Sequence, residues 1–135
     1  MPRGVFLVFT NCTDPAREEE FNRWYSHTHL PDLSAAKGFV SARRYVNLDP
    51  DGSPGKYVAA YEFESDNLSE SVQDLVRVAM KALADGRHIE CIEGGQSFLL
   101  QEIDPASLEP LEHLDYPREI PESIREGVQQ VLDGE

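Results

Sequence analysis

The 135-residue chain is short of cysteine, of basic charge and of long apolar runs, and each shortage removes a class of protein. Its two cysteines, Cys12 and Cys91, form no cluster with metal-ligand spacing and have no need to meet, so they read as reduced thiols of a cytoplasmic protein. Lysine and arginine number 12 against 25 acids, for a formal net charge of −13. A field of that sign repels phosphate backbones and anionic membrane surfaces, so neither nucleic acid nor a membrane is an expected partner. The acidic surface serves solubility. No apolar run approaches the roughly 18 residues of a membrane span. The opening MPRGVFLVF is too short for a signal segment and ends in the polar Thr10 and Asn11. Glycine-rich phosphate loops and the Gly-x-Ser-x-Gly elbow are absent, and Gly94-Gly95 reads as a turn. These gaps argue against nucleotide-dependent and covalent hydrolytic chemistry.

What is present is enough for one domain with one core. Val5 to Thr10 is a continuous apolar run rich in β-formers and reads as a strand covered on both faces. Asp14-Pro15 is a helix start, with an acceptor at the cap and proline at the first helical position. Glu18, Glu19 and Glu20 then suit the positive end of the helix. Phe21, Trp24, Tyr25 and Thr28 recur at i, i+3, i+4, i+7 and give that helix an aromatic face. Pro31 is expected to stop or kink it near His29, with a short second helical turn over 32–36. Strands follow over 39–48 and 56–64, joined by the turn-rich DPDGSPG. On the second of these, Tyr57, Ala59, Tyr61 and Phe63 share one face. Asp66 or Asn67 caps a helix whose stripe is Leu68, Val72, Leu75, Val76, Ala79, Met80 and Leu83, and Gly86 ends it. Gln96 to Ile103 is the fourth strand.

The order β-α-β-β-α-β is that of an α+β, ferredoxin-like domain: one antiparallel sheet with both helices on one face. It is expected over 1–103. Residues 104–135 are an acidic, proline-punctuated C-terminal arm with a short helix, read as lying across its own domain or a partner. Helices on one side leave the other side of the sheet bare. With Tyr57, Tyr61 and Phe63 the alternation is too apolar for both faces to be wet, which predicts a homodimer joined through its sheet faces.

The run Phe21-Asn22-x-Trp24-Tyr25-x-x-x-His29-Leu30-Pro31-Asp32, followed by Gly38-Phe39-Val40-Ser41-Ala42-x-Arg44-Tyr45, resembles the EthD-like branch of the dimeric α/β-barrel superfamily. The resemblance covers about the first hundred residues. It implies paired ferredoxin-like protomers with a pocket between sheet and helices. For function it is permissive, since the superfamily spans cofactor-free oxygenases, isomerases, cyclases, dehydratases and haem-degrading enzymes.

His29 is the position matching the family's histidine, and an imidazole that titrates near neutrality suits proton transfer. The plain alternative is a helix-end histidine bonded to a free carbonyl. Arg43 and Arg44 are adjacent on a strand and face opposite sides, one toward solvent or an interface and the other toward the sheet–helix space; the resemblance selects Arg44 for the latter. Tyr61 is a hydrogen-bond donor or an interface residue. Trp24, Tyr25, His27 and Phe9 complete the expected substrate-binding set, with core packing the alternative for the two helical aromatics and solvent exposure for His27. A metal held by His27 and His29 would need Asp32 or a distant glutamate as third ligand, which no spacing supports, and a haem on His88 is weaker still. The expected protein is therefore a cofactor-free, metal-free enzyme. It performs acid/base chemistry (isomerisation, cyclisation, elimination or oxygenation) on a small apolar, aromatic or carbonyl compound. The alternative is a non-catalytic dimeric binding or accessory module.

Overall fold

A computed structural model of the chain describes residues 2–49, 51 and 54–103. Strand β1 (Arg3–Cys12) leads through a 3-10 turn (Pro15–Arg17) into helix α1 (Glu18–Trp24), a π-helical segment (Tyr25–His29) and helix α2 (Leu30–Leu33). Strands β2 (Phe39–Val46) and β3 (Tyr57–Glu64), helix α3 (Leu68–Ala84) and strand β4 (Ile92–Gln101) complete it. The four strands form one antiparallel sheet in the order β2-β3-β1-β4. This is the ferredoxin-like arrangement the element order predicts. The arm over 104–135 lies outside the described residues.

Local chemistry accounts for most element boundaries. The Asp14 carboxylate accepts the Ala16 N–H at 3.0 Å, and Asn67 accepts that of Glu70 at 3.0 Å, so the 3-10 turn before α1 and helix α3 each open on a side-chain cap. Gly86, at φ +79°, closes α3 in the left-handed region. Gly38, at φ +81°, turns the chain into β2 where a side chain would meet the Glu64 carbonyl and the Ser71 hydroxyl, both at 2.9 Å.

The core lies between the helices and one face of the sheet. Phe6 of β1, Tyr61 and Phe63 of β3, Phe21 and Tyr25 of the first helical stretch, and Leu68, Val72 and Leu75 of α3 are its buried members. Here the structure corrects the sequence reading. Tyr57, Tyr61 and Phe63 line the covered face, so Tyr61 packs within its own chain and not in an interface. The bare face is built from the alternate residues, Val5, Leu7 and Phe9 beside Val58, Ala60 and Glu62, flanked by Tyr45, Phe98 and Leu100. Strand β1 is thus fully covered on one side only: Phe6 and Thr10 are buried, while Val5, Leu7 and Phe9 are half-exposed.

Three further expectations change. Pro31 does distort the helix up to His29, but the helix does not stop there: it widens over Tyr25–His29 and continues through Pro31 to Leu33, in place of a separate turn over 32–36. Strand β4 begins at Ile92, so Gly94 and Gly95 lie inside it, next to a register shift against Val8 and Thr10. A side chain on Gly95 would press into the carbonyls of Pro54 and Phe9, so the pair permits a close backbone approach in place of a turn. Finally, Cys12 and Cys91 do meet. Cys12 pairs with Ile92 across β1 and β4, and the Thr13 N–H donates to the Cys91 carbonyl at 2.7 Å.

Candidate active site

The site is organised by the widened turn of helix. Proline at 31 has no N–H to give to the His27 carbonyl, and in regular α-helix its ring would press on that carbonyl. The backbone relieves this by opening one turn: the Leu30 N–H donates to the Tyr25 carbonyl, five residues back. In an α-helix, at about 100° per residue, residues 24 and 29 would stand about 140° apart. The wider turn brings them over one another. The Trp24 and His29 rings stack at 4.7 Å between centroids with 21° between planes, and His29 meets Tyr25 edge-on at 4.9 Å.

Burial sets the protonation of this imidazole. Desolvation pushes the His29 pKa down to about 4, helped by the Arg44 charge and opposed by Asp32. At neutral pH His29 is an uncharged base. Asp32 is itself engaged, because Arg87 donates to both its oxygens at 2.7 and 3.1 Å. The Arg87 carbonyl in turn accepts the Trp24 indole N–H at 3.3 Å, tying the stacked pair to the connector after α3. That bidentate pairing leaves Asp32 poorly placed as a metal ligand. Among the described residues no group of three or more histidine, cysteine or acidic side chains could hold a metal ion.

Arg44 comes from β2 on the covered face, and Arg43 lies exposed on the other, as strand alternation requires. The guanidinium lies 4.5 Å from the Tyr25 ring centroid, 5.3 Å from Tyr57 and 5.8 Å from Phe21. Its terminal nitrogens donate to the Asn22 carbonyl (3.2 Å), the Asn22 Oδ1 (2.8 Å) and the Ser26 hydroxyl (3.1 Å). No carboxylate among the described residues pairs with it, and its buried Nε has no hydrogen-bond partner. Among the described residues the half-buried cation is held by neutral dipoles and aromatic rings, an unusual setting because buried charges are ordinarily paired.

Behind it the Tyr25 and Tyr61 hydroxyls face each other at 3.4 Å in the dry core. Burial raises both phenol pKa values, with Tyr61 the more strongly displaced, so both remain protonated and able to donate. Asn22 and Ser26 carry Arg44, and Asn22 also donates to the Tyr57 hydroxyl at 3.2 Å, which donates to Glu18 at 2.5 Å. Sequence reasoning missed this scaffold. Its one signal is the i, i+4 spacing of Asn22 and Ser26 beside the aromatic stripe, where a strand arginine can reach both.

The structure therefore gathers His29, Arg44, Tyr61, Trp24 and Tyr25 at one corner between sheet and helices. It does not gather the other two expected residues. His27 is exposed, because the chain is still helical there and residues two apart diverge. Phe9 points to the bare face of the sheet, edge-on to Phe98 at 6.1 Å. His88 is half-buried in the connector. A hollow of about 430 Å³ lies at the far end of the sheet, lined by Arg3, Val5, Val40, Glu62 and Leu100 among others, away from the histidine.

No protein-family model matches the chain, nor does any curated protein. Solved structures do. A protein of Bordetella bronchiseptica provisionally named an antibiotic biosynthesis monooxygenase superposes with a TM-score of 0.56 at 16% identity, over 76% of this chain and 99% of its own. The likeness is one of fold, a four-stranded antiparallel sheet with its helices on one face. HapK of Hahella chejuensis superposes at 0.54 and 11% identity, over 82% of this chain and 94% of its own. An EthD-family protein of Bacillus halodurans matches at 0.45 and 16%, over 76% of this chain and 99% of its own, too loose a likeness to build on. Identities this low establish architecture; chemistry has to come from the side chains.

Proposed function

We propose that the chain is a cofactor-free enzyme that moves a proton on a small aromatic or carbonyl compound, with His29 as the base. The observation that carries this reading is the pairing of an uncharged imidazole with an unneutralised guanidinium at one aromatic corner. A base abstracting a proton beside a carbonyl leaves negative charge on the oxygen. Arg44 supplies the fixed positive charge that such an oxygen needs, in surroundings where water screens it poorly. Trp24, partly exposed beside His29, offers a ring to a planar substrate, and the buried Tyr25 and Tyr61 form the dry wall behind Arg44. Isomerisation, cyclisation, elimination and oxygenation all begin with this step.

The protein acts as a homodimer joined through the bare faces of its sheets. Tyr45, Phe98 and Leu100 are about half exposed there, a density of large apolar side chains that a monomer in water rarely carries. A second reading, a binding or accessory module without catalysis, is favoured by one observation: the 430 Å³ hollow has none of the candidate residues on its wall.

Deuterium exchange into α-tetralone in D2O, followed by proton NMR, separates the two readings without knowledge of the natural substrate. The enzyme reading expects accelerated exchange beside the carbonyl, reduced at least about 100-fold by His29→Ala. Exchange that is accelerated equally by the wild type and His29→Ala would remove His29 from the chemistry. No acceleration by the wild type would favour the module.

A further inference from the structure

Cys12 and Cys91 are 79 residues apart in sequence and adjacent in the fold. Cys12, the last residue of β1, pairs with Ile92, and Cys91 is one step off that register. A strand spacing of about 4.8 Å and a rise of about 3.4 Å put such Cα atoms about 6 Å apart. That is inside the span of about 4.4–6.8 Å that a disulfide bridges. Both side chains turn into the same cluster, Cys91 buried and Cys12 half-buried against it. The 2.7 Å bond from the Thr13 N–H to the Cys91 carbonyl holds the two backbones in place.

The two thiols also differ in a useful way. Burial, then a hydrogen bond with Cys12, push the Cys91 thiol up. The Arg17 charge pulls the other way but is largely spent on Glu20 and Glu90. Cys91 is thus protonated and shielded. Cys12 is the more accessible sulfur, its thiol donating to the Asp14 carbonyl at 3.2 Å.

From this arrangement we infer that Cys12 and Cys91 form a reversible oxidation site, in which Cys12 reacts with a peroxide and Cys91 resolves the product as an intramolecular disulfide. The Cys12 thiolate attacks one peroxide oxygen; an S–O bond forms, the O–O bond breaks, and the leaving hydroxide takes up the thiol proton as water. The Cys91 sulfur then attacks the Cys12 sulfenic sulfur; the S–S bond forms, the S–O bond breaks, and the Cys91 proton leaves with the hydroxyl as a second water. Two thiols lose two electrons and one hydrogen peroxide becomes two waters.

The consequence for the rest of the molecule follows from where Cys91 stands. It ends the connector whose Arg87 holds both Asp32 and the Trp24 indole. Closing the disulfide pins that connector to β1.

Treating the full reduced chain with equimolar hydrogen peroxide tests the assignment. Intact mass should fall by two hydrogens, an unreduced peptide map should join the Cys12 and Cys91 peptides within one chain, and dithiothreitol should restore the starting mass. In Cys91→Ser, a dimedone adduct should accumulate on Cys12. In Cys12→Ser, consumption of peroxide should slow about tenfold or more. A disulfide found only between chains, oxygen added to each cysteine without a link, or unreactive thiols in the folded chain would each overturn the inference. The wild-type peptide map decides the matter even where a serine variant fails to fold.

Discussion

Two residues define the candidate site by what they lack: His29 lacks a proton, and Arg44 lacks a counter-ion among the described residues. The histidine's depressed pKa has a sign that can be followed into stability. The unfolded imidazole titrates near 6.5 and the folded one near 4. Between those values the unfolded chain binds a proton that the folded chain refuses, so stability falls as pH drops from 6.5 toward 4. The full shift corresponds to about 3 kcal/mol. Urea unfolding at pH 7.0, 5.5 and 4.5 should show that loss in the wild type. In His29→Phe the loss should shrink by most of that amount, and an unchanged slope would mean that the ring is open to water. Activity should follow the opposite logic, with the basic form, and hence turnover per folded molecule, holding down to about pH 4. At this scale the sequence was informative about identity and poor about support. Strand alternation puts Arg43 and Arg44 on opposite faces, the resemblance picks Arg44 as the inward one, and spacing puts Trp24, Tyr25 and His29 on one helical stretch. Asn22 and Ser26 carry no mark beyond their i, i+4 spacing, because a polar residue that holds an arginine looks like any solvated helix residue.

Among the elements, the widened turn at 25–29 was the hardest to foresee. Proline chemistry predicts that something must give before residue 31, but termination and widening both answer the missing N–H. The choice falls to tertiary packing: Leu33 is buried in the core, so a helix that continues past the proline gains that burial. The start of β4 was misplaced for a related reason. Two successive glycines favour a turn in isolation, and only the neighbouring backbone of Phe9 and Pro54 reveals why they lie in a strand. The two glycines are separable by experiment. Gly94 has open space where a side chain would go, so Gly94→Ala should change stability by less than about 1 kcal/mol. Gly95→Ala forces backbone apart and should cost about 1–3 kcal/mol, read as the difference in thermal midpoint between the two variants. Equal midpoints would show that the β1–β4 bulge yields freely.

For the molecule as a whole, element order alone was enough to expect the four-stranded sheet with its helices on one side. Which apolar residues stay uncovered was not, since period-2 alternation shows that two faces differ without saying which one the helices take. The bare face sets the expected assembly. The chain, at 15.2 kDa, should sediment at twice that mass, and Phe98→Lys with Leu100→Lys should return it to one while leaving its far-ultraviolet dichroism intact. A wild type that sediments as a monomer would remove the sheet-to-sheet pairing. One property of the site can be watched from outside. The whole chain contains a single indole, and it is the ring stacked on His29. An imidazolium accepts an electron from excited indole far more readily than a neutral imidazole does, so the fluorescence of Trp24 should dim as His29 gains its proton. The molecule thus carries its own indicator dye, placed against the one group whose titration matters most.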